Sequence, residues 1–92
     1  MTFINVLSNY TIVLKKSAQK DLAKLPNATA MVIQKKLSQL TQATHRLNIL
    51  KLTGYLIQTY RLRIGNYRVI FEVHEREIIV LVIGIKHRKD AY

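Results

Sequence analysis

The chain has no cysteine, a single proline, three glycines and only five acidic residues among its 92. Without cysteine there is no disulfide scaffold and no thiolate metal site, which fits a reducing cytoplasm. So few prolines and glycines beside a hydrophobic content of 49% exclude a disordered or low-complexity chain. Five acids against 15 Lys and Arg leave a formal charge of +10 and a pI near 10.2, which points to a polyanion, nucleic acid before others. Histidine is also sparse: His45, His74 and His87 lie far apart with no ligand spacing, so a zinc site is not expected. No apolar run is long enough to cross a bilayer, which takes about 20 residues. Met1 to Leu7 lacks a basic n-region and a cleavage site, and reads as a leader to the first strand. The length fits one domain over residues 1–92.

The positive charge differs in kind between the two halves. Residues 1–50 hold six Lys and one Arg, and residues 51–92 hold five Arg and three Lys. Lysine solvates a surface, whereas arginine suits bidentate contact with phosphate. The arginines concentrate in Tyr60-Arg61-Leu62-Arg63-Ile64-Gly65-Asn66-Tyr67-Arg68-Val69-Ile70-Phe71-Glu72-Val73. Alternation puts Tyr60, Leu62 and Ile64 on one side of a strand and Arg61 and Arg63 on the other. Gly65-Asn66 is a hairpin turn signal. With that turn, Ile64 pairs with Tyr67 and Arg63 stands opposite Arg68. Like charges facing each other across a ladder destabilise it, so the arrangement suits a phosphate site better than a fold. Glu72 is the one carboxylate expected on this face.

Before the hairpin the pattern is helical. Tyr10–Leu14 reads as a short strand. Ser17 is a candidate N-cap with Asp21 in the first turn, and Ala18, Leu22 and Leu25 share one helical face. Pro26 ends that helix. A second helix begins near Asn27 to Ala30, capped by Asn27 or Thr29, with Val32, Ile33, Leu37 and Leu40 as its buried stripe and Lys35 and Lys36 outward. Gln42 to Asn48 reads as a loop, Ile49–Thr53 leads into the sheet, and Gly54 marks a turn. Strands are expected over Leu56–Ile64, Tyr67–His74 and Glu77–Ile85, the last two joined at Glu75-Arg76. Ile78–Ile85 is continuously apolar, as in a strand covered on both faces. Helices followed by strands imply α+β: an antiparallel sheet of about four strands with an N-terminal two-helix hairpin on one face.

The apolar run ends in Lys86-His87-Arg88-Lys89-Asp90-Ala91-Tyr92, so cations, an imidazole and a phenol stand at the end of a central strand. His74 reads as solvent-facing beside a turn and His45 as a loop residue. Four pieces, in this order, resemble the RelE/ParE superfamily of bacterial toxins, and within it the RelE-type mRNA interferases. They are Lys15 to Pro26, Lys51-Leu52-Thr53-Gly54, Tyr60 to Phe71, and His87 to Tyr92.

The resemblance implies a RelE-like microbial RNase fold and the toxin of a type II toxin–antitoxin system in the cytoplasm. The activity it implies is cleavage of mRNA in the ribosomal A site, with no cofactor. The RNA 2′-hydroxyl attacks the adjacent phosphate without a metal. The candidate site residues are Arg61, Arg63 and Arg68, from residue type and spacing, His87, the histidine nearest them, and Arg88 and Tyr92, for which the resemblance implies contact with the scissile phosphate and stacking on, or hydrogen-bonding to, the mRNA. Lys15, Lys16, Lys20, Lys24, Lys35 and Lys36 would then face ribosomal RNA. Implied partners are an acidic antitoxin from a neighbouring gene, the ribosome and mRNA, and operator DNA only through the antitoxin complex, with no membrane. Family members often carry lysines where this chain has Arg61 and Arg63, one of them assigned as general base. Arginine does not deprotonate in a protein. The base is therefore His87, Glu72 or Tyr92, or catalysis rests on orientation and charge. Two other functions fit the residues: a ParE-like poison of DNA gyrase, and a basic nucleic-acid-binding module that does not cut.

Overall fold

The computed structural model describes residues 7–42 and 47–89 of the chain. The elements run β1 (Thr11–Leu14), α1 (Lys16–Ala23), α2 (Asn27–Gln39), β2 (Asn48–Leu52), β3 (Thr59–Ile64), β4 (Tyr67–His74) and β5 (Ile79–His87). They form an α+β fold with a five-stranded mixed sheet of order β1-β5-β4-β3-β2. The sheet has one strand more than the pattern suggested, because Asn48–Leu52 pairs antiparallel with β3 as a strand in its own right. It is mixed because β1 runs parallel to β5, from Thr11 opposite Ile79 to Leu14 opposite Val82.

Both helices cover the same side of the sheet. Ala18, Ile33, Leu37 and Leu40 join a buried cluster with Leu62 on β3, Val69 and Phe71 on β4, and Val80 and Val82 on β5. Period-two alternation sends these strand side chains to the helices and their neighbours to the opposite, open face. β5 is flanked by β1 and β4, yet it is covered on one face only: Ile79, Leu81 and Ile83 remain half-buried on the open side. Ile78 is not in the strand. It sits at the end of the turn formed by residues 75–78, with φ at 57°, in the left-handed region that a β-branched residue seldom occupies.

The β4–β5 ladder carries a bulge. Ile70 pairs with Gly84 but Phe71 pairs with Val82, so Ile83 is the extra residue. One extra residue exchanges the two faces. Val80 and Val82 face the helices before the bulge, and Ile85 and His87 do so after it, which leaves Lys86 on the open face.

β1 is shorter than β5, and α1 takes over where it stops. The Lys15 N–H donates to the Val82 carbonyl at 2.9 Å. The Ser17 hydroxyl then donates to the Ile83 carbonyl at 2.8 Å, and the Asp21 Oδ2 accepts from the Ile85 N–H at 2.9 Å. Neither side chain does what its position suggested. Lys15 is the N-cap residue, without a side-chain cap bond, and Asp21 falls outside the first turn. Both side chains satisfy the strand edge, whose unpaired backbone groups are the costlier loss. Likewise Pro26 occupies the N-cap position of α2, so Asn27 and Thr29 are not caps. Val32 is 52% exposed, and the buried stripe is Ile33, Leu37 and Leu40. Lys35 is exposed and Lys36 half-buried. The strand expected from Leu56 begins only at Thr59, and Tyr55, Leu56 and Ile57 stand exposed before it.

Candidate functional site

Gly65, with φ at 56°, turns β3 into β4. The register it sets pairs Ile64 with Tyr67 and Arg63 with Arg68. On the far side of β4, Arg68 pairs with Lys86. Arg63, Arg68 and Lys86 therefore form a row of cations across three adjacent strands of the open face. Side chains at directly opposed positions start about 5 Å apart. Three positive groups at that spacing favour an anion lying over the row.

Arg61 stands beside the row, paired with Ile70. Its Nη2 donates to the Asn48 Oδ1 at 2.9 Å, which fixes the guanidinium against β2. Its Nε is buried and makes no hydrogen bond. Buried polar atoms without a hydrogen-bond partner are few in native proteins. A depression of about 220 Å³ lies here, lined by Leu52, Arg61, Arg68, Ile70 and Lys86. Lys86 Nζ lies 3.6 Å from the Asp21 Oδ2 at the strand edge.

The remaining residues singled out by pattern divide between places. The Arg88 N–H donates to the Asn66 carbonyl at 2.7 Å, so Arg88 stands beside the β3–β4 turn with its side chain exposed. His87 is directed to the helix side, where its ring meets Tyr67 edge-on with centroids 5.1 Å apart. Its Nδ1 accepts from the Lys89 N–H at 3.2 Å. Glu72 shares the open face but lies four residues along β4 from Arg68, roughly 13 Å at strand rise. It is bonded to His74 Nε2 at 2.9 Å, so His74 is half-buried and partnered. Tyr92 and His45 lie outside the described residues. Tyr60 belongs to the core: it stacks on Phe71 at 5.6 Å, and burial, then the charge of Glu75, raises its phenol pKa above 10.0.

Lys86 is the residue that pattern reasoning passed over. Its signal was Gly84, since a glycine inside an apolar strand often marks a bulge.

The family model for the ParE toxin of type II toxin–antitoxin systems matches residues 12–92. The chain belongs to that family. Similar solved structures place this toxin in the wider RelE/ParE superfamily. The archaeal RelE–RelB complex from Pyrococcus horikoshii OT3 matches with a TM-score of 0.73 and 26% identity, over 87% of this chain and 96% of the other. The RelB–RelE antitoxin–toxin complex from Methanococcus jannaschii gives 0.70 and 27%, over 87% and 94%. The RelBE2 complex from Mycobacterium tuberculosis gives 0.70 and 26%, over 87% and 99%. No curated protein sequence matches the toxin at a significant level. Among its described helices none is long and apolar enough to cross a membrane.

Proposed function

We propose that this toxin is a ribosome-dependent endoribonuclease whose active face is the open side of the sheet around Arg61, Arg63, Arg68, Lys86 and Arg88. The observation that carries the reading is the cross-strand row of Arg63, Arg68 and Lys86. The buried, unbonded Nε of Arg61 beside it supports the reading. In the reaction the RNA 2′-oxygen bonds to the adjacent phosphorus as the 5′-oxygen leaves. One proton departs from the 2′-hydroxyl and one reaches the leaving oxygen, giving a 2′,3′-cyclic phosphate and a 5′-hydroxyl. Guanidinium groups fixed by strands and by Asn48 stabilise the charge that builds on the phosphoryl oxygens, commonly the largest catalytic contribution. Arginine does not exchange that proton, whereas lysine can. His87 is directed to the opposite face, and Glu72 is distant and bonded to His74. Lys86, held at the edge by Asp21, joins Tyr92 as a candidate for proton exchange. Tyr92 keeps its proposed place against the RNA.

A cognate antitoxin is the toxin's partner, as in the RelE–RelB neighbours. An acidic antitoxin complements the charge of +10, and the half-buried Ile79, Leu81 and Ile83 offer it apolar surface beside the cationic row. The reading is tested by adding the purified toxin to ribosomes carrying a defined mRNA and mapping the RNA ends, with a gyrase supercoiling assay in parallel. Cut RNA with 5′-hydroxyl ends and unaffected supercoiling are expected. The match to the ParE family model favours a second reading, a gyrase poison, which predicts intact RNA and blocked supercoiling.

A further inference from the structure

On the helix side of the same strand ends lies a second cleft, of about 490 Å³, between the C-terminal end of α1 and the ends of β4 and β5. Its polar and aromatic lining is Asp21, Lys24, Tyr67, Lys86 and His87. The volume falls in the range of about 300–1,000 Å³ typical of small-molecule sites. Its chemistry is that of a nucleotide site. Lys24 and Lys86 supply positive charge, and the Asp21 carboxylate is occupied by the Ile85 N–H and by Lys86. Tyr67 and His87 supply an aromatic wall, and their edge-on contact at 86° sets one ring against the other. Aromatic walls take any base through its π-face, while cations take the phosphate. Lys86 lines both this cleft and the depression on the open face, so the two sites meet at the β5 edge.

We propose that the α1–β5 cleft is a nucleotide subsite: the Tyr67–His87 wall stacks on a base, Lys24 and Lys86 hold its phosphate, and an RNA strand reaches it from the Arg63–Arg68 row by crossing the β5 edge at Lys86. The path of the strand rests on the open face being the RNA-cleaving face; the occupancy of the cleft does not. This subsite fixes a nucleotide next to the cut by stacking, and so gives His87 a part in substrate binding.

The test is a titration of the purified toxin, followed by NMR, with adenosine 5′-monophosphate and separately with inorganic phosphate. The nucleotide is expected to shift the ring signals of Tyr67 and His87 and the amide of Lys24, and phosphate alone to leave the two rings unshifted. Lys24 is exposed, so Lys24→Glu keeps the fold and is expected to weaken nucleotide binding at least about tenfold, the usual worth of a charged hydrogen bond. The proposal is overturned if the nucleotide shifts only open-face residues, or if Lys24→Glu binds it as the parent does. Cleavage is read in the separate ribosome assay, so a toxin that binds the nucleotide here but cuts no RNA refutes the activity and leaves the subsite standing.

Discussion

On the helix side of the sheet, Leu62, Val69 and Phe71 have no exposed surface and pack against two helices. One residue away along the same strands, Arg61, Arg63 and Arg68 occupy the open side, with Lys86 beside them on β5. The two faces share a backbone but answer to opposite physics. Apolar groups on the first gain from being removed from water. Like charges on the second repel one another, and a fold would be more stable without them. Stability and the proposed function are therefore separable by parity along β3 and β4.

The comparison is broken most severely from the core side. Phe71→Ala removes a fully buried ring, and is expected to cost about 3–5 kcal/mol. In a chain this small that is most of the stability, so thermal unfolding should show a strongly lowered midpoint or no cooperative transition. Next comes the seam between helix and strand. Asp21→Ala orphans the Ile85 N–H at the edge of β5 and releases Lys86, with an expected loss of about 1–3 kcal/mol in denaturant unfolding. Amide exchange at Ile85 should rise with it.

Smaller effects sharpen the contrast. Ile78→Asn replaces a β-branched residue at a positive φ with one that tolerates it, and should raise the melting midpoint by the equivalent of about 1 kcal/mol. Smallest is Arg63→Ala on the open face, expected to change stability by no more than about 0.5 kcal/mol, in the stabilising direction. Alkali gives an independent check on the core. The phenol of Tyr60 has its pKa raised by burial, so the neutral ring favours the fold below the unfolded value near 10.0, and that contribution is lost as pH rises through the higher folded value. Tyr60→Phe should flatten the fall in stability above pH 10.

The hairpin was legible because its information is local. Gly65-Asn66 specifies a turn, the turn specifies a register, and the register puts Arg63 opposite Arg68. The helices were legible from the spacing of Ala18 and Leu22, and of Ile33 and Leu37. What stayed hidden depends on contacts between distant segments. The bulge at Ile83 reverses the parity of the last strand, so Lys86 joins the cationic row while His87 goes to the helix side. Ser17 and Asp21 look like helix-start residues, but the unpaired edge of β5 is a stronger claim on their oxygens. The parallel pairing of β1 spans nearly the whole chain and leaves no trace in its four residues. Nor does the run Ile79–Ile83 reveal that only one of its faces is covered.

The account rests most directly on Arg68, the centre of the cationic row. The decisive measurement is the rate at which Arg68→Ala cleaves ribosome-bound mRNA, compared with the parent toxin at a temperature where melting curves show both folded. Loss of one fixed charge contact on the developing phosphoryl oxyanion predicts a rate lower by about 10²–10³. A folded Arg68→Ala that cuts at the parental rate would contradict the assignment of the open face as the catalytic one.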